Sequence, residues 1–176
     1  MVVACGRLPM RILAICGSLQ AKSGNLTLLR TASACAPVGV EVRLFDGLRD
    51  LPHFNPDLEK EQVPEAVLEL RQAVSSSDAL LIATPEYGHS LPGSLKNAID
   101  WLIGSGELER KVVAITCAVP AVERGRLGLK ALRDTLSAVS ARVPFQEPIA
   151  RGTDFERDVQ ALMVRLIAAA SEPLEA

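Results

Sequence analysis

This sequence has few aromatic residues, a small net charge and no long apolar run. Only 3% of the 176 residues are aromatic, whereas 48% are hydrophobic, so we expect a core built from aliphatic side chains. The formal net charge of −2 gives no reason to propose nucleic acid or an anionic membrane as a partner. No run reaches about 18 consecutive apolar residues, the length that a membrane-spanning helix needs. We therefore expect no nucleic-acid partner and no membrane partner.

Cysteine and histidine are also few. The four cysteines, Cys5, Cys16, Cys35 and Cys117, are widely spaced, and none belongs to a C-x-x-C motif. The two histidines form no cluster with them, so we predict no metal site. Residues 1–9 lack the long apolar region of a secretory signal. Unpaired thiols without such a signal predict a reduced, cytoplasmic protein.

The length of the chain suits one domain. Folding of about 150 residues buries roughly 70% of the surface of the unfolded chain, which is enough for a substantial core. The sequence has no internal repeat, low-complexity segment or linker. We therefore predict a single domain over residues 10–176. Residues 1–9 form a short lead that we expect to be disordered or an added segment, with Met10 as a candidate start.

Hydrophobic patterns predict five strands alternating with five helices. The predicted strands cover residues 11–16, 40–45, 79–83 and 111–117, followed by a short strand that begins at Val143. The predicted inward faces of the helices are Leu26, Leu29 and Ala36; Val63, Val67, Leu70 and Val74; Leu91, Leu95, Ala98 and Leu102; Leu129, Leu132, Leu136 and Val139; and Val159, Leu162, Leu166 and Ala170. Buried strands joined by helices imply a parallel sheet covered on both faces.

This alternation predicts an α/β fold of the flavodoxin-like type. We expect a three-layer sandwich in which a five-stranded parallel sheet has the order 2-1-3-4-5 and helices cover both faces. In that order the first and third strands end side by side, at the edge where ligands bind in open α/β sheets. This order brings Ser18–Asn25 beside Pro85–Gly88, so we expect these two loops to form one site.

The loop after the first predicted strand has the composition of a phosphate-binding loop. Residues 17–25, GSLQAKSGN, lead into a helix whose first N–H groups and dipole favour an anion. The loop has neither the Lys of a Walker A motif nor the G-x-G-x-x-G of a dinucleotide fingerprint. Cys16 with Lys22 and Ser23 approaches a phosphatase loop, but Lys lacks the planar fork of the required Arg. Alternatively, Ser23 or Asn25 simply caps the helix.

Both loops resemble the two signatures of the NADPH-dependent FMN reductase family, the flavodoxin-like quinone and azo-compound reductases. Residues 85–101 resemble P-E-Y-x-x-S-x-P-G-x-L-K-N-A-I-D-W, and residues 17–25 resemble G-S-L-R-x-x-S-x-N. Gln20 stands where the family usually has Arg, which replaces a charged donor by a neutral amide. Gly88 stands where the family usually has Asn.

The resemblance implies bound FMN and the residues that contact it. In the family the first loop wraps the FMN phosphate, and the Pro-Glu-Tyr segment lies against the flavin ring. The implied cofactor-binding residues are Ser18, Gln20, Ser23, Asn25, Leu26, Pro85, Glu86, Tyr87 and Gly88. We interpret Glu86 as a residue that fixes its loop or an interface, and Tyr87 as one that borders the ring or a partner subunit.

The resemblance also implies an NAD(P)H-dependent oxidoreductase with a ping-pong mechanism. FMN accepts a hydride from NADPH or NADH, which leaves, and a quinone, azo compound, metal oxyanion or free flavin then takes two electrons in the vacated space. No catalytic acid or base is predicted in the protein itself. The family further implies a homodimer or homotetramer. Two other functions stay open, namely an electron carrier of the flavodoxin type and a small phosphatase with Cys16 as nucleophile.

Overall fold

The structure is a computed structural model, and it describes residues 8–173. Residues 1–7, which make up most of the predicted lead and include Cys5, lie outside the described residues, as do residues 174–176. Within the described part of the chain, no helix is both long enough and apolar enough to cross a lipid bilayer.

Five strands form one parallel sheet. They are β1 Met10–Cys16, β2 Val40–Phe45, β3 Ala79–Ala83, β4 Val112–Val119 and β5 Arg142–Ala150. Their order is β2-β1-β3-β4-β5, and every neighbouring pair is parallel. This result confirms the predicted flavodoxin-like order. All five residues of the central β3 are buried, because layers of helices cover both faces of the sheet, whereas the edge strand β2 alternates in burial.

The helices lie on both faces of the sheet, as predicted. They are α1 Gly24–Ala34, α2 Pro56–Glu61, α3 Glu65–Ser75, α4 Gly93–Asp100, α5 Arg126–Ser137 and α6 Phe155–Ser171. Apolar side chains of α3, α4 and α5 form one core cluster with the sheet, and those of α1 and α6 form a second cluster on the opposite face. This arrangement leaves the carboxyl ends of the strands, at one edge, uncovered by the helical layers.

The segment between β2 and β3 differs from the prediction. The sequence predicts a single helix between these strands, with Val63, Val67, Leu70 and Val74 on its inward face. The structure has in addition a short 3-10 helix at Gly47–Arg49 and the helix α2, which begins at Pro56. The Asn55 side chain caps α2 by accepting a hydrogen bond of 3.0 Å from the Asp57 N–H. Asn followed by Pro is a recognised start signal, and it gives the described chain six α-helices rather than five.

Two predicted inward positions near α1 are wrong. The buried residues of α1 are Asn25, Leu28, Leu29 and Ala32. Leu26 is only half-buried, and Ala36 lies beyond the end of the helix. Because successive helical residues turn by about 100°, a face centred on Leu28 and Leu29 leaves Leu26 at its margin. In the other helices the central positions of the predicted faces are buried. Four predicted positions lie just outside the helices but still pack in the core, namely Val63, Leu91, Leu102 and Val139.

The last strand is longer than predicted. The sequence predicts a short strand beginning at Val143, but β5 has nine residues. Pro144 and Pro148 make the sequence look unlike a long strand, since neither residue offers an N–H to a neighbouring strand. Both are tolerated because β5 lies at the edge of the sheet, where one side needs no ladder hydrogen bond.

The end of the second signature is a structural anchor. Trp101 is fully buried, and its indole N–H donates a hydrogen bond of 2.8 Å to the Pro52 carbonyl. The Asn97 amide donates to the same carbonyl at 2.9 Å and accepts from the Phe54 N–H at 2.8 Å. Phe54 also packs edge-on against Trp101, with ring centroids 5.0 Å apart. The Asn and Trp of this motif therefore hold the 52–54 loop against α4.

Candidate functional site

The carboxyl ends of β1, β3 and β4 bring the two signature loops together. The Gly17 N–H donates to the Ala83 carbonyl at 2.9 Å, and the Thr84 N–H donates to the Thr116 carbonyl at 3.0 Å. A Cβ atom at Gly17 would lie 2.4 Å from Oγ1 of Thr84, so only glycine allows this approach. The first glycine of the phosphate-loop motif thus sets how closely the two loops can meet.

The first loop presents backbone donors at the start of α1. Ser23 caps the helix, because its Oγ accepts a hydrogen bond of 3.2 Å from the Asn25 N–H. The Ser18 hydroxyl accepts from the exposed Gln20 N–H at 3.3 Å. Within the described part of the chain, the N–H groups of Gly24 and Leu26 have no acceptor. Free N–H groups at a helix start are suited to an anion such as phosphate.

The Asn25 side chain joins the start of α1 to the end of β4. It is 5% exposed, and its Oδ1 accepts a hydrogen bond of 2.8 Å from the Ala118 N–H at the end of β4. The residue therefore pins the first turn of α1 to the sheet. We expected either an FMN contact or a helix cap. The Asn25 oxygen caps no N–H of α1, and a contact between Asn25, which lines the cavity described below, and FMN stays a prediction.

The second loop contains a tight two-residue turn. Tyr87 and Ser90 exchange two backbone hydrogen bonds of 3.0 Å, and Gly88 and His89 between them have φ angles of 56° and 62°. Two successive positive φ values define a turn of type I′, in which Asn and Gly are preferred. The replacement of the usual Asn by Gly88 therefore keeps a residue suited to this conformation. The turn leaves Tyr87 57% exposed.

Glu86 joins the second loop to the start of α5. Its Oε2 accepts a hydrogen bond of 2.8 Å from the Gly128 N–H, in the first turn of that helix. A Cβ atom at Gly128 would lie 2.9 Å from Cβ and 3.1 Å from Cα of Glu86, so the contact requires glycine. A carboxylate at a helix N-terminus is also favoured by the helix dipole. This geometry agrees with our interpretation that Glu86 fixes the loop.

A cavity of about 430 Å³ opens between these elements. Its walls come from Asn25, Pro85 and Glu86 and from residues of the 117–127 segment. The other implied residues, Ser18, Gln20, Ser23, Leu26, Tyr87 and Gly88, lie in the adjoining loops and do not line it. The loop after β4 lacks a recognisable Gly-rich motif, so the sequence assigns no individual binding residue to it, although its position predicts that it reaches this edge of the sheet.

A larger cavity lies elsewhere and carries no motif residue. It measures about 690 Å³ and opens between the end of β2 and α3, where charged side chains such as Arg43, Glu69 and Arg71 line it. We place the site at the smaller cavity, because polar backbone groups from three strand ends converge there and both signature loops adjoin it.

The thiols near the site are poorly suited to nucleophilic catalysis. Burial raises the pKa of Cys16, and the hydrogen bond that its Sγ donates to the Ser18 carbonyl at 3.5 Å offsets this only in part. Burial, and then the negative charge of Glu86, raise the pKa of Cys117 to about 12. A catalytic cysteine needs the opposite shift, because the thiolate is the reactive form. These environments argue against the phosphatase hypothesis.

Comparisons with known proteins agree with the two motifs. A family model described as NADPH-dependent FMN reductase matches residues 10–154. A quinone reductase of Escherichia coli (strain K12) is 37% identical over 94 residues, which cover 53% of this chain. An NAD(P)H-dependent FMN reductase of Pseudomonas aeruginosa is 37% identical over 119 residues, which cover 68% of this chain. The chain spans 50% and 63% of the lengths of these two relatives, respectively.

Solved structures share the fold over nearly the whole chain. FerB, a flavoenzyme NAD(P)H:(acceptor) oxidoreductase from Paracoccus denitrificans, aligns with a TM-score of 0.74 and 30% identity, covering 92% of this chain and 95% of that one. An NADH:FMN oxidoreductase in its apo form aligns with a TM-score of 0.73, covering 93% of this chain and 92% of that one. Its identity of 22% supports the fold alone.

Proposed function

The chain belongs to the NADPH-dependent FMN reductase family, and from this membership we propose that it is an NAD(P)H-dependent, FMN-containing oxidoreductase. It would transfer two electrons to quinones or similar small acceptors, with residues 10–176 acting as a single FMN-binding domain. The observation that carries the proposal is the meeting of the α1 start with the Pro85–Gly88 loop, beside the cavity of about 430 Å³.

The residues at the start of α1 fit the phosphate of FMN. The unengaged N–H groups of Gly24 and Leu26 are donors for its oxygen atoms, and the Ser18 hydroxyl lies in the same loop. Ser23 contributes indirectly, because its cap hydrogen bond fixes the first turn of the helix. Asn25 is likewise a positioning residue, since its side chain bonds to β4.

The Pro85–Gly88 segment fits the flavin ring. When bound, FMN supplies the chemistry of hydride acceptance and electron transfer. The chain's own task is to orient the ring, for which the Glu86 contact with Gly128 holds the segment in place. Tyr87 is exposed in the loop that adjoins the cavity, and Gly88 has no atom within 4 Å of the position where a Cβ would stand. We propose that the nicotinamide donor and the acceptor use this open space in turn, as a ping-pong scheme requires.

The relatives and the exposed side chains support our proposals for the acceptor class and for the assembly. Relatives named quinone reductase make a quinone the first acceptor to assay, ahead of azo compounds, metal oxyanions and free flavin. Tyr87 and Leu127 are both at least half exposed beside the site, so we propose a homodimer or homotetramer that covers them. Light scattering on the purified protein would test the assembly.

The free thiols of Cys16, Cys35 and Cys117 support our proposal of a reduced, cytoplasmic location.

A visible absorption spectrum tests the function directly. We expect added FMN to show shifted bands on binding, to bleach when NADPH or NADH is added without oxygen, and to recover its colour when a quinone follows. Bound FMN that neither nicotinamide bleaches would contradict the enzyme proposal and favour an electron carrier. Failure to bind FMN would overturn the proposed function altogether.

A further inference from the structure

We propose that Arg151 provides the cationic contact to the FMN phosphate that Gln20 cannot provide. The inference rests on the proposed function, because it assumes that FMN binds with its phosphate at the start of α1. In the family motif an arginine within the first loop carries the charge, whereas this chain has a neutral, exposed amide at position 20. Arg151 approaches the start of α1 from another part of the chain, directly after the end of β5.

The backbone holds Arg151 beside the phosphate loop. Its N–H donates a hydrogen bond of 2.8 Å to the Val119 carbonyl, which continues the pairing of β4 with β5 by one residue. On the other side of the same strand end, Ala118 bonds to the Asn25 side chain at 2.8 Å. The end of β4 thus ties Arg151 and the first turn of α1 to one fixed frame.

The side chain of Arg151 lies over the first residue of α1. A Cβ atom at Gly24 would be 3.4 Å from Cδ and 3.6 Å from Nη1 of Arg151. Because Gly24 has no side chain, the guanidinium can stand close to this residue, whose own N–H is free. Backbone donors and a guanidinium fork on one side of a helix start form a donor set that matches a phosphate dianion.

Arg151 is also free to bind an anion. Within residues 8–173 its guanidinium takes part in no hydrogen bond or ion pair. Arg157, six residues further on, is by contrast paired with Asp154 at 2.8 Å and with Asp158 at 3.1 Å. The first turn of α1 contains no acidic residue that could compete for the charge. Arg151 therefore supplies an uncompensated positive charge at the loop.

Flavin titrations distinguish a phosphate contact from a general effect on the site. We would measure the Kd of FMN and of riboflavin, which has no phosphate, by flavin fluorescence for the wild type, Arg151→Gln and Arg151→Lys. The expected result is an FMN Kd raised about tenfold in Arg151→Gln, with partial recovery in Arg151→Lys and an unchanged riboflavin Kd. Arg157→Gln is the matched control, since it removes an equal charge that is already paired, and its FMN Kd should equal that of the wild type.

A second variant tests whether the two positions share one role. Gln20→Arg should tighten FMN binding in the wild type and should restore FMN affinity in Arg151→Gln. An unchanged FMN Kd in Arg151→Gln, an equal loss for FMN and riboflavin, or a large loss from Lys22→Gln alone would overturn the assignment of Arg151. A wild-type protein that binds neither flavin would instead overturn the proposed function, so the two failures are distinguishable.

Discussion

The Glu86 carboxylate and the Gly128 N–H are joined by a hydrogen bond of 2.8 Å that links the loop after β3 to the first turn of α5. This contact couples the Pro85–Gly88 segment, which we propose holds the flavin ring, to α5. The 117–127 segment, which leads into α5, forms the other wall of the cavity. The two residues are 42 positions apart in the sequence, so their pairing exists only in the folded chain. It makes position 128 sensitive to any added side-chain atom.

Gly128→Ala should weaken both the fold and FMN binding. The new Cβ would press against Cβ and Cα of Glu86 at 2.9 and 3.1 Å, and a backbone atom cannot rotate away. We expect a loss of about 1–3 kcal/mol in the free energy of unfolding, measured by urea denaturation, together with a higher Kd for FMN. The matched control is Gly93→Ala, also in a first helical turn, where a Cβ would meet nothing within 4 Å. That variant should be as stable as the wild type or more so by up to about 1 kcal/mol. Equal stability of the two variants would contradict the proposed coupling.

Asn97→Ala should destabilise the protein through the 52–54 loop. The Asn97 side chain makes two hydrogen bonds across this loop, to the Pro52 carbonyl at 2.9 Å and from the Phe54 N–H at 2.8 Å. Losing this side chain leaves the partly buried Phe54 N–H unpaired and removes one of the two donors to the Pro52 carbonyl, which keeps the Trp101 indole. The loss should cost about 2 kcal/mol of unfolding free energy. The single tryptophan, Trp101, is buried, so its fluorescence during urea unfolding provides the measurement.

The control for Asn97→Ala is Asn55→Ala. Asn55 also accepts a backbone hydrogen bond, at 3.0 Å from the Asp57 N–H, but it does so at the exposed start of a six-residue helix. Its loss should cost about 1 kcal/mol or less. A smaller effect at Asn97 than at Asn55 would show that the loop contributes little to stability.

The sequence predicted the parts of the site that follow from strand order and local motifs. Gly17 and Thr84 end neighbouring parallel strands, so their proximity follows from the order of the strands. The contacts of Asn25 with Ala118 and of Glu86 with Gly128 were not predictable, because each joins side chain to backbone between distant segments. The place of Arg151 beside α1 was not predictable either, because Pro144 and Pro148 conceal how far β5 extends.

The thiol of Cys117 should make stability fall at alkaline pH. Burial, followed by the charge of Glu86, raises its pKa from 9.0 to about 12 in the folded protein. Because the unfolded chain loses this proton at a lower pH than the native state, the stabilisation is complete below about pH 9 and is lost as the pH rises towards 12. Between about pH 8 and pH 10, the wild type should lose about 1 kcal/mol more than Cys117→Ala, which lacks the titrating group. Urea unfolding of both proteins at the two pH values measures this difference. Identical pH dependence would mean that Cys117 titrates normally in the folded state.

Position 88 should accept asparagine but not a β-branched residue. Gly88 has a φ of 56° within the turn between Tyr87 and Ser90, and a Cβ there would have no neighbour within 4 Å. Backbone conformation alone therefore decides what fits, since Asn enters the left-handed region readily and Val does not. Gly88→Asn should change the free energy of unfolding by less than about 1 kcal/mol and leave the FMN Kd within a few-fold of the wild type. Gly88→Val should lower the free energy of unfolding by about 1–3 kcal/mol and raise the FMN Kd. Urea denaturation and flavin fluorescence titration on the three proteins provide the comparison. Similar losses for Asn and Val would indicate that a side chain at position 88 obstructs the flavin, and the turn conformation would then not explain why glycine occupies this place.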